Sequence, residues 1–213
     1  MMSTVKILFL FGLTSSGKTT IGRSVSSLLK CKFIDLDEKI AELANMSVRS
    51  FYREYGRVEF QKKECDALKT VLFLSERDEG GIKTTFFVIS AGGGLVENEE
   101  AIKCLTSFLK YKSMNIFFLD VPAKFLWKRL LKREGKEKIL PAFLKKDNDL
   151  SLVSKKIKSF ALYRSRFLLI CKKRIILLKK IRETLPFIKV KCKGKKIKQI
   201  ARTVIKEVQN ITN

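Results

Sequence analysis

Gly12-Leu13-Thr14-Ser15-Ser16-Gly17-Lys18-Thr19-Thr20 sets two glycines five positions apart, followed by a lysine and two hydroxyl residues. Glycines at that spacing let the backbone curl until its N–H groups converge on phosphate oxygens. Lys18 then stands where β/γ oxygens are met, and the Thr19 hydroxyl where a divalent cation is met. The flanks agree. Val5–Leu10 is nearly continuous apolar, like a strand buried on both faces of a parallel sheet. Ile21, Val25, Leu28 and Leu29 follow at helical spacing. A helix opening near Thr19 adds the positive end of its dipole to the loop. Strand, loop and helix together make the P-loop pattern, and the bland alternative is a glycine turn carrying a chance lysine. ATP and Mg²⁺ are the implied ligands, with Gly12, Ser15, Ser16, Gly17, Lys18, Thr19 and Thr20 forming the cradle.

The elements that must position such a loop repeat in the order strand, loop, helix, which means a parallel sheet with right-handed crossovers. Further strands are expected at Lys32–Asp35, Phe86–Ser90, Asn115–Leu119 and Phe187–Lys191. Two or three helices are expected over Leu36 to about Leu74, with others near Asn98–Leu109, after Pro122, over Leu150 to about Cys171 and over about Ile197–Val208. The expected fold is therefore three-layer α/β, with about five parallel strands around the P-loop. Residues 1–213 read as one domain, with a lid over about 134–149. The chain has 213 residues, of which 46% are hydrophobic, and its 21 aromatic side chains argue against disorder. No apolar run reaches the length of a membrane span, and Val5–Leu13 runs straight into the glycine loop rather than forming a signal peptide. Five scattered cysteines without a C-x-x-C pair suit a reducing, cytoplasmic setting. The chain contains no histidine, so imidazole bases, Ser-His-Asp triads and His-ligated zinc are all excluded.

Other stretches also carry chemistry. Phe33-Ile34-Asp35-Leu36-Asp37, Met46-Ser47-Val48 with Phe51, Tyr55-Gly56, Glu59-Phe60, Ser90-Ala91-Gly92-Gly93-Gly94 and Leu162-Tyr163-Arg164 join the phosphate loop and Arg23 in one set. In these residues the chain resembles the shikimate kinase family over about residues 5–165. The resemblance implies ATP- and Mg²⁺-dependent phosphorylation of a small hydroxyl compound, shikimate in that family. It makes Lys18 and Asp37 the catalytic pair, Thr19 and Asp35 the metal ligands, Gly92, Gly93 and Gly94 an acceptor floor, and Arg133 the lid arginine that stacks on adenine. The residues support it. A carboxylate at the end of the second strand stands where doubly wound sheets place their ligands. Asp35 there holds Mg²⁺ through water, and Asp37 accepts the hydrogen bond of the acceptor hydroxyl. Both aspartates also read as helix caps before Glu38–Leu43.

The resemblance breaks on the acceptor side. Three arginines expected to grip the acceptor's carboxylate fall on Gln61, Leu140 and Ser159. Arginine matters there because its planar fork meets a carboxylate bidentately. Three readings follow. Arg57, one helical turn before Gln61, substitutes together with Lys62, Lys138 or Arg164; or the acceptor is a different hydroxyl compound; or the chain binds nucleotide without phosphorylating anything.

The formal net charge is +24, and residues 121–213 hold 28 basic but only 6 acidic side chains. The segment from Cys171 to Arg182 reads as part of a basic insertion over about 171–185. It is either an amphipathic helix facing nucleic acid or an anionic membrane, or a helix packing Ile175, Leu178 and Ile181 on the body. The second reading is preferred, and a monomer acting on small molecules is expected.

Overall fold

The computed structural model describes residues 6–74, 86–111, 113–137, 142–144 and 156–212. Five strands form one parallel sheet: β1 (Lys6–Phe11), β2 (Lys32–Asp35), β3 (Phe86–Ser90), β4 (Ser113–Asp120) and β5 (Ile188–Lys191), in the order β2-β3-β1-β4-β5. The helices are α1 (Lys18–Leu29), α2 (Leu36–Ala44), α3 (Val48–Leu74), α4 (Glu99–Tyr111), α5 (Ala123–Glu137), α6 (Lys156–Ile181) and α7 (Ile197–Thr212). Short 3-10 turns stand at Leu95–Glu97 and Ala142–Leu144. None of the described helices is long and apolar enough to cross a membrane.

The apolar run of β1 is continuous because the strand is covered on both sides. Ile7, Phe9 and Phe11 point into a core shared with α2, α3 and α4. Leu8 and Leu10 point into a second core shared with α1, α5, α6 and α7. Period-two alternation thus sends both halves of one hydrophobic strand inward. Strand register then positions the site, since Leu10 pairs with Ser90 and Ser90 with Asp35. The carboxyl ends of β1, β3 and β2 are therefore level, and the segments leaving them lie side by side.

The strands fall within a residue or two of their expected places. Three expectations are corrected. Residues 134–137 still belong to α5 instead of opening a loop; of the rest of the 134–149 segment, only 142–144 are described. The expected 150–171 helix is described from Lys156 and runs on to Ile181, absorbing much of the basic segment. Nothing in Cys171–Ile181 breaks a helix, Leu178 is buried, and Leu177 and Ile181 pack on the first core. Ile175 is exposed instead of packed, and the side chain that turns inward beside it is Arg174. α3 carries a break at Gly56, with φ 76° and ψ −171°, which splits it into two helical stretches.

Candidate active site

The phosphate loop joins β1 to α1 and closes on itself through main-chain and lysine contacts. Ser16 N–H donates to the Leu13 carbonyl at 3.1 Å, and Ile21 N–H to that of Gly17 at 2.9 Å. Lys18 Nζ donates to the carbonyls of Gly12 and Leu13, at 3.0 and 3.2 Å. Desolvation pushes the Lys18 ammonium down to about 8, against the pull of Asp37 and Asp35; Arg174 and Arg133 add to the depression. A lysine held this way is short of anionic partners. The buried hydroxyls of Ser15 and Ser16 have no hydrogen-bond partner, which is the state of a cradle built for additional acceptors.

Asp35 ends β2 and serves two neighbours. Its Oδ1 accepts the Asp37 N–H at 3.0 Å, making it the N-cap of α2. Its Oδ2 accepts the Thr19 hydroxyl at 2.7 Å and the Ser90 hydroxyl at 2.8 Å. The capping and metal readings therefore meet in Asp35, and Asp37 is left uncommitted to a cap. Asp37 opens onto the cavity yet stands among protein walls. Desolvation raises its pKa first, the neighbouring Asp35 charge adds to this, and Lys18 and Arg133 oppose it.

The glycine strip leaving β3 runs beside both groups. A Cβ on Gly93 would lie 2.6 Å from the Thr14 backbone N. Only glycine permits that approach, so the strip and the phosphate loop share a wall. A cavity of about 680 Å³ opens over them. Ser15, Gly17, Lys18, Thr19, Thr20, Asp35, Asp37, Arg57, Gln61, Gly92, Gly93, Gly94 and Arg133 all line it. Gly12 and Ser16 do not line it, but their carbonyls hold Lys18 and Arg129, which do. Leu140 and Lys138 lie outside the described residues, and Ser159 falls on the first turn of α6. Lys62 is exposed and paired with Glu59 at 2.7 Å, and Arg164 is exposed.

Gln61 is named in the sequence reading; cavity residues that escape it include Glu64, Glu97, Arg129 and Arg174. Gln61 occupies its position by donating Nε2 to the Glu97 carbonyl at 2.9 Å. Glu64, one turn on, is buried; Asn98 Nδ2 donates to its Oε2 at 3.0 Å, and Oε1 has no partner. Desolvation pushes its carboxyl up to about 7 despite that hydrogen bond. Arg129 donates to the Ser16 carbonyl at 3.4 Å. Arg174, buried on α6, holds Glu97 Oε2 with Nη2 at 3.0 Å and Nε at 3.2 Å. The i+3 spacing of Glu64 from Gln61 was a usable signal; nothing local marked Arg174.

This arrangement can hold a polyphosphate against Lys18 and the loop amides. The hydroxyl of Thr19 and the carboxylate of Asp35 are hard oxygen donors of the kind Mg²⁺ prefers, and the unpartnered serine hydroxyls fit a nucleotide above them.

Comparison with known proteins agrees. A family model described as shikimate kinase matches residues 14–186. The chain is 31% identical over 166 residues to a shikimate kinase of Clostridium botulinum (strain Okra / Type B1), covering 76% of this chain and 85% of that protein. It is 37% identical over 141 residues to a bifunctional shikimate kinase/3-dehydroquinate synthase of Thermotoga maritima. That match covers 62% of this chain but only 25% of the relative's length. In fold, it superposes on a shikimate kinase from Acinetobacter baumannii in complex with shikimate with a TM-score of 0.70 at 19% identity, covering 98% of this chain and 95% of that one. With the family match running from Thr14 in the phosphate loop through the glycine strip, this chain belongs to the shikimate kinase family.

Proposed function

We propose that this chain transfers the terminal phosphoryl group of ATP, with Mg²⁺, to a hydroxyl of a small cyclic hydroxy acid, shikimate being the acceptor the family relation favours. The observation that carries this reading is the single cavity in which Lys18, Thr19 and Asp35 face Asp37 and the glycine strip. Of the two aspartates beside the phosphate loop, Asp37 is the one not tied to a cap, and it accepts the hydrogen bond of the acceptor hydroxyl and orients that oxygen for in-line attack. Lys18 and the loop amides neutralise charge on the equatorial oxygens as it builds, and their positions are set before substrate arrives. Thr19 and Asp35 would hold the metal, whose charge would offset that of the phosphate oxygens. Arg133 lines the cavity, and the family relation favours it as the residue that stacks on adenine. The five free cysteines are consistent with a reducing, cytoplasmic setting.

A coupled assay of ADP release with and without millimolar shikimate tests the reading. Shikimate-dependent release of ADP supports it. Nucleotide binding without acceptor-dependent turnover points instead to another acceptor or to a silent relative, the reading favoured by glutamine at position 61.

A further inference from the structure

Helix α6 has two apolar faces, and the fold uses one. Phe167, Cys171, Arg174 and Leu178 turn inward and are buried. On the opposite side Leu162, Leu169 and Ile176 are 39%, 67% and 46% exposed. They follow one another at seven-residue steps, close to two helical turns, and so form a single ridge about 21 Å long. One exposed aliphatic side chain is ordinary on a protein surface, but three in register along one helix mark a contact face without its partner.

Cations border the ridge. Lys173 and Lys180 lie along one flank and Lys172 and Lys179 along the other, all four exposed. From Lys156 to Arg182 the sequence has no Asp or Glu. Among the described residues, the only acidic side chain paired with these four lysines is Glu97, 3.5 Å from Lys173 Nζ. Such flanks call for an anionic occupant. A second copy of the same ridge would set like charges against each other. A nucleic acid would engage the lysines and leave the ridge idle, since base readout and stacking call on forks and aromatic rings. A protein partner would need a groove to receive a convex ridge, and lysine is depleted in protein interfaces. A bilayer needs no such groove. Its headgroup boundary moulds to the ridge, while the lysine stems lie along the apolar side chains and keep their ammonium groups among anionic headgroups.

We infer that the outer face of α6 is a docking surface for an anionic lipid membrane. Leu162, Leu169 and Ile176 enter the headgroup boundary, and Lys172, Lys173, Lys179 and Lys180 meet the lipid charges. The helix lies in the plane of the interface, because its inner face stays packed on the protein. The contact is reversible, and one lysine near such a surface changes partitioning by a factor of about five. The inference does not depend on which acceptor the cavity takes.

Vesicle sedimentation with the full chain in about 0.1 M potassium chloride tests it. The protein is expected to bind phosphatidylcholine vesicles carrying about 30% phosphatidylserine and not vesicles of phosphatidylcholine alone. Affinity should fall at least about tenfold when the salt is raised to about 0.5 M. Leu169→Ser/Ile176→Ser keeps every lysine and should weaken binding by about tenfold or more. Lys172→Gln/Lys179→Gln/Lys180→Gln keeps the ridge and should weaken it by about 100-fold. Lys198→Gln/Arg202→Gln/Lys206→Gln removes the same charge from exposed positions of α7 and should change affinity by less than about threefold. Failure of the wild type to bind the anionic vesicles overturns the inference. So do equal losses from the two triple variants, which would mean attraction by net charge alone, or a ridge variant that binds like the wild type. A dimer in solution that the ridge variant dissolves would assign the face to a second copy. Retention of duplex RNA lost in the α6 triple variant, with vesicles unbound, would assign it to nucleic acid. Either result overturns the membrane reading.

Discussion

Asp37 and Glu64 share one cavity but have different surroundings, and the difference assigns their tasks. Asp37 faces Lys18 and opens to the cavity, so it remains available to a hydroxyl. Asp37→Asn keeps the shape and removes the charge; turnover should fall by about 10²–10⁴-fold while ATP affinity changes less than about threefold. ADP release and calorimetry check the two halves, and surviving turnover would move the hydroxyl-orienting role elsewhere. Glu64 is sealed in, with one oxygen unpartnered, and its carboxyl is raised to about 7 from 4.5. Its folded pKa therefore lies above its unfolded one. The stability it contributes is full below about pH 4.5 and is lost as pH rises through about 7, because the unfolded chain releases the proton first. At pH 8 the cost reaches up to about 3 kcal/mol, at 1.36 kcal/mol per unit. Glu64→Gln can still accept from Asn98 and cannot ionise, so its thermal midpoint should stay flat between pH 5 and 8 where that of the wild type declines. Parallel curves for the two proteins would show that Glu64 is ionised without penalty.

At the scale of elements, the kink in α3 sets one wall of the cavity. Gly56 has φ 76° and ψ −171° with open space around it, a backbone region that is essentially glycine-only. The stretch after it carries Arg57, Gln61 and Glu64 to the cavity. Gly56→Ala meets no clash, yet should lose about 1–3 kcal/mol of stability through backbone strain alone. The re-aimed helix should raise KM for the acceptor more than KM for ATP. Urea unfolding and steady-state kinetics read both, and equal changes in the two Michaelis constants would detach the kink from the acceptor. The contrast between loop and helix also explains what the sequence could reveal. The phosphate loop, Asp35 with Asp37, and Gly92–Gly94 are runs of neighbours whose geometry is local, so their types and spacing expose them. Arg174 is 160 positions from the Thr14 hydroxyl it faces, and in sequence it is one cation in a basic run. Its burial is decided by the face of α6 that Leu178 and Cys171 turn inward. Helix ends failed in the same way: α6 passes Cys171 because tertiary packing, which one chain segment cannot display, continues to cover it.

For the molecule as a whole, the surplus of +24 acts on stability and on substrate capture with opposite signs. On α6 alone Lys172, Lys173, Lys179 and Lys180 are exposed, and the described ion pairs there draw on the single carboxylate of Glu97. Crowded like charges repel more in the compact state than in the expanded one, so the fold carries a long-range penalty. The same field would draw ATP and the proposed anionic acceptor toward a cavity lined with Lys18, Arg129, Arg133 and Arg174. Potassium chloride raised from 10 mM to 0.3 M shortens the screening length from about 30 Å to below 10 Å. The thermal midpoint of the unliganded protein should then rise, because self-repulsion is relieved, while kcat/KM for both substrates should fall, because steering is lost. Short buried pairs such as Arg174–Glu97 are screened much less and should keep their geometry throughout. A midpoint that drops with salt would mean that local ion pairing outweighs the surplus. In that case the lysine-rich half is electrostatically stitched together, and the salt response of kcat/KM would have to come from the cavity charges alone.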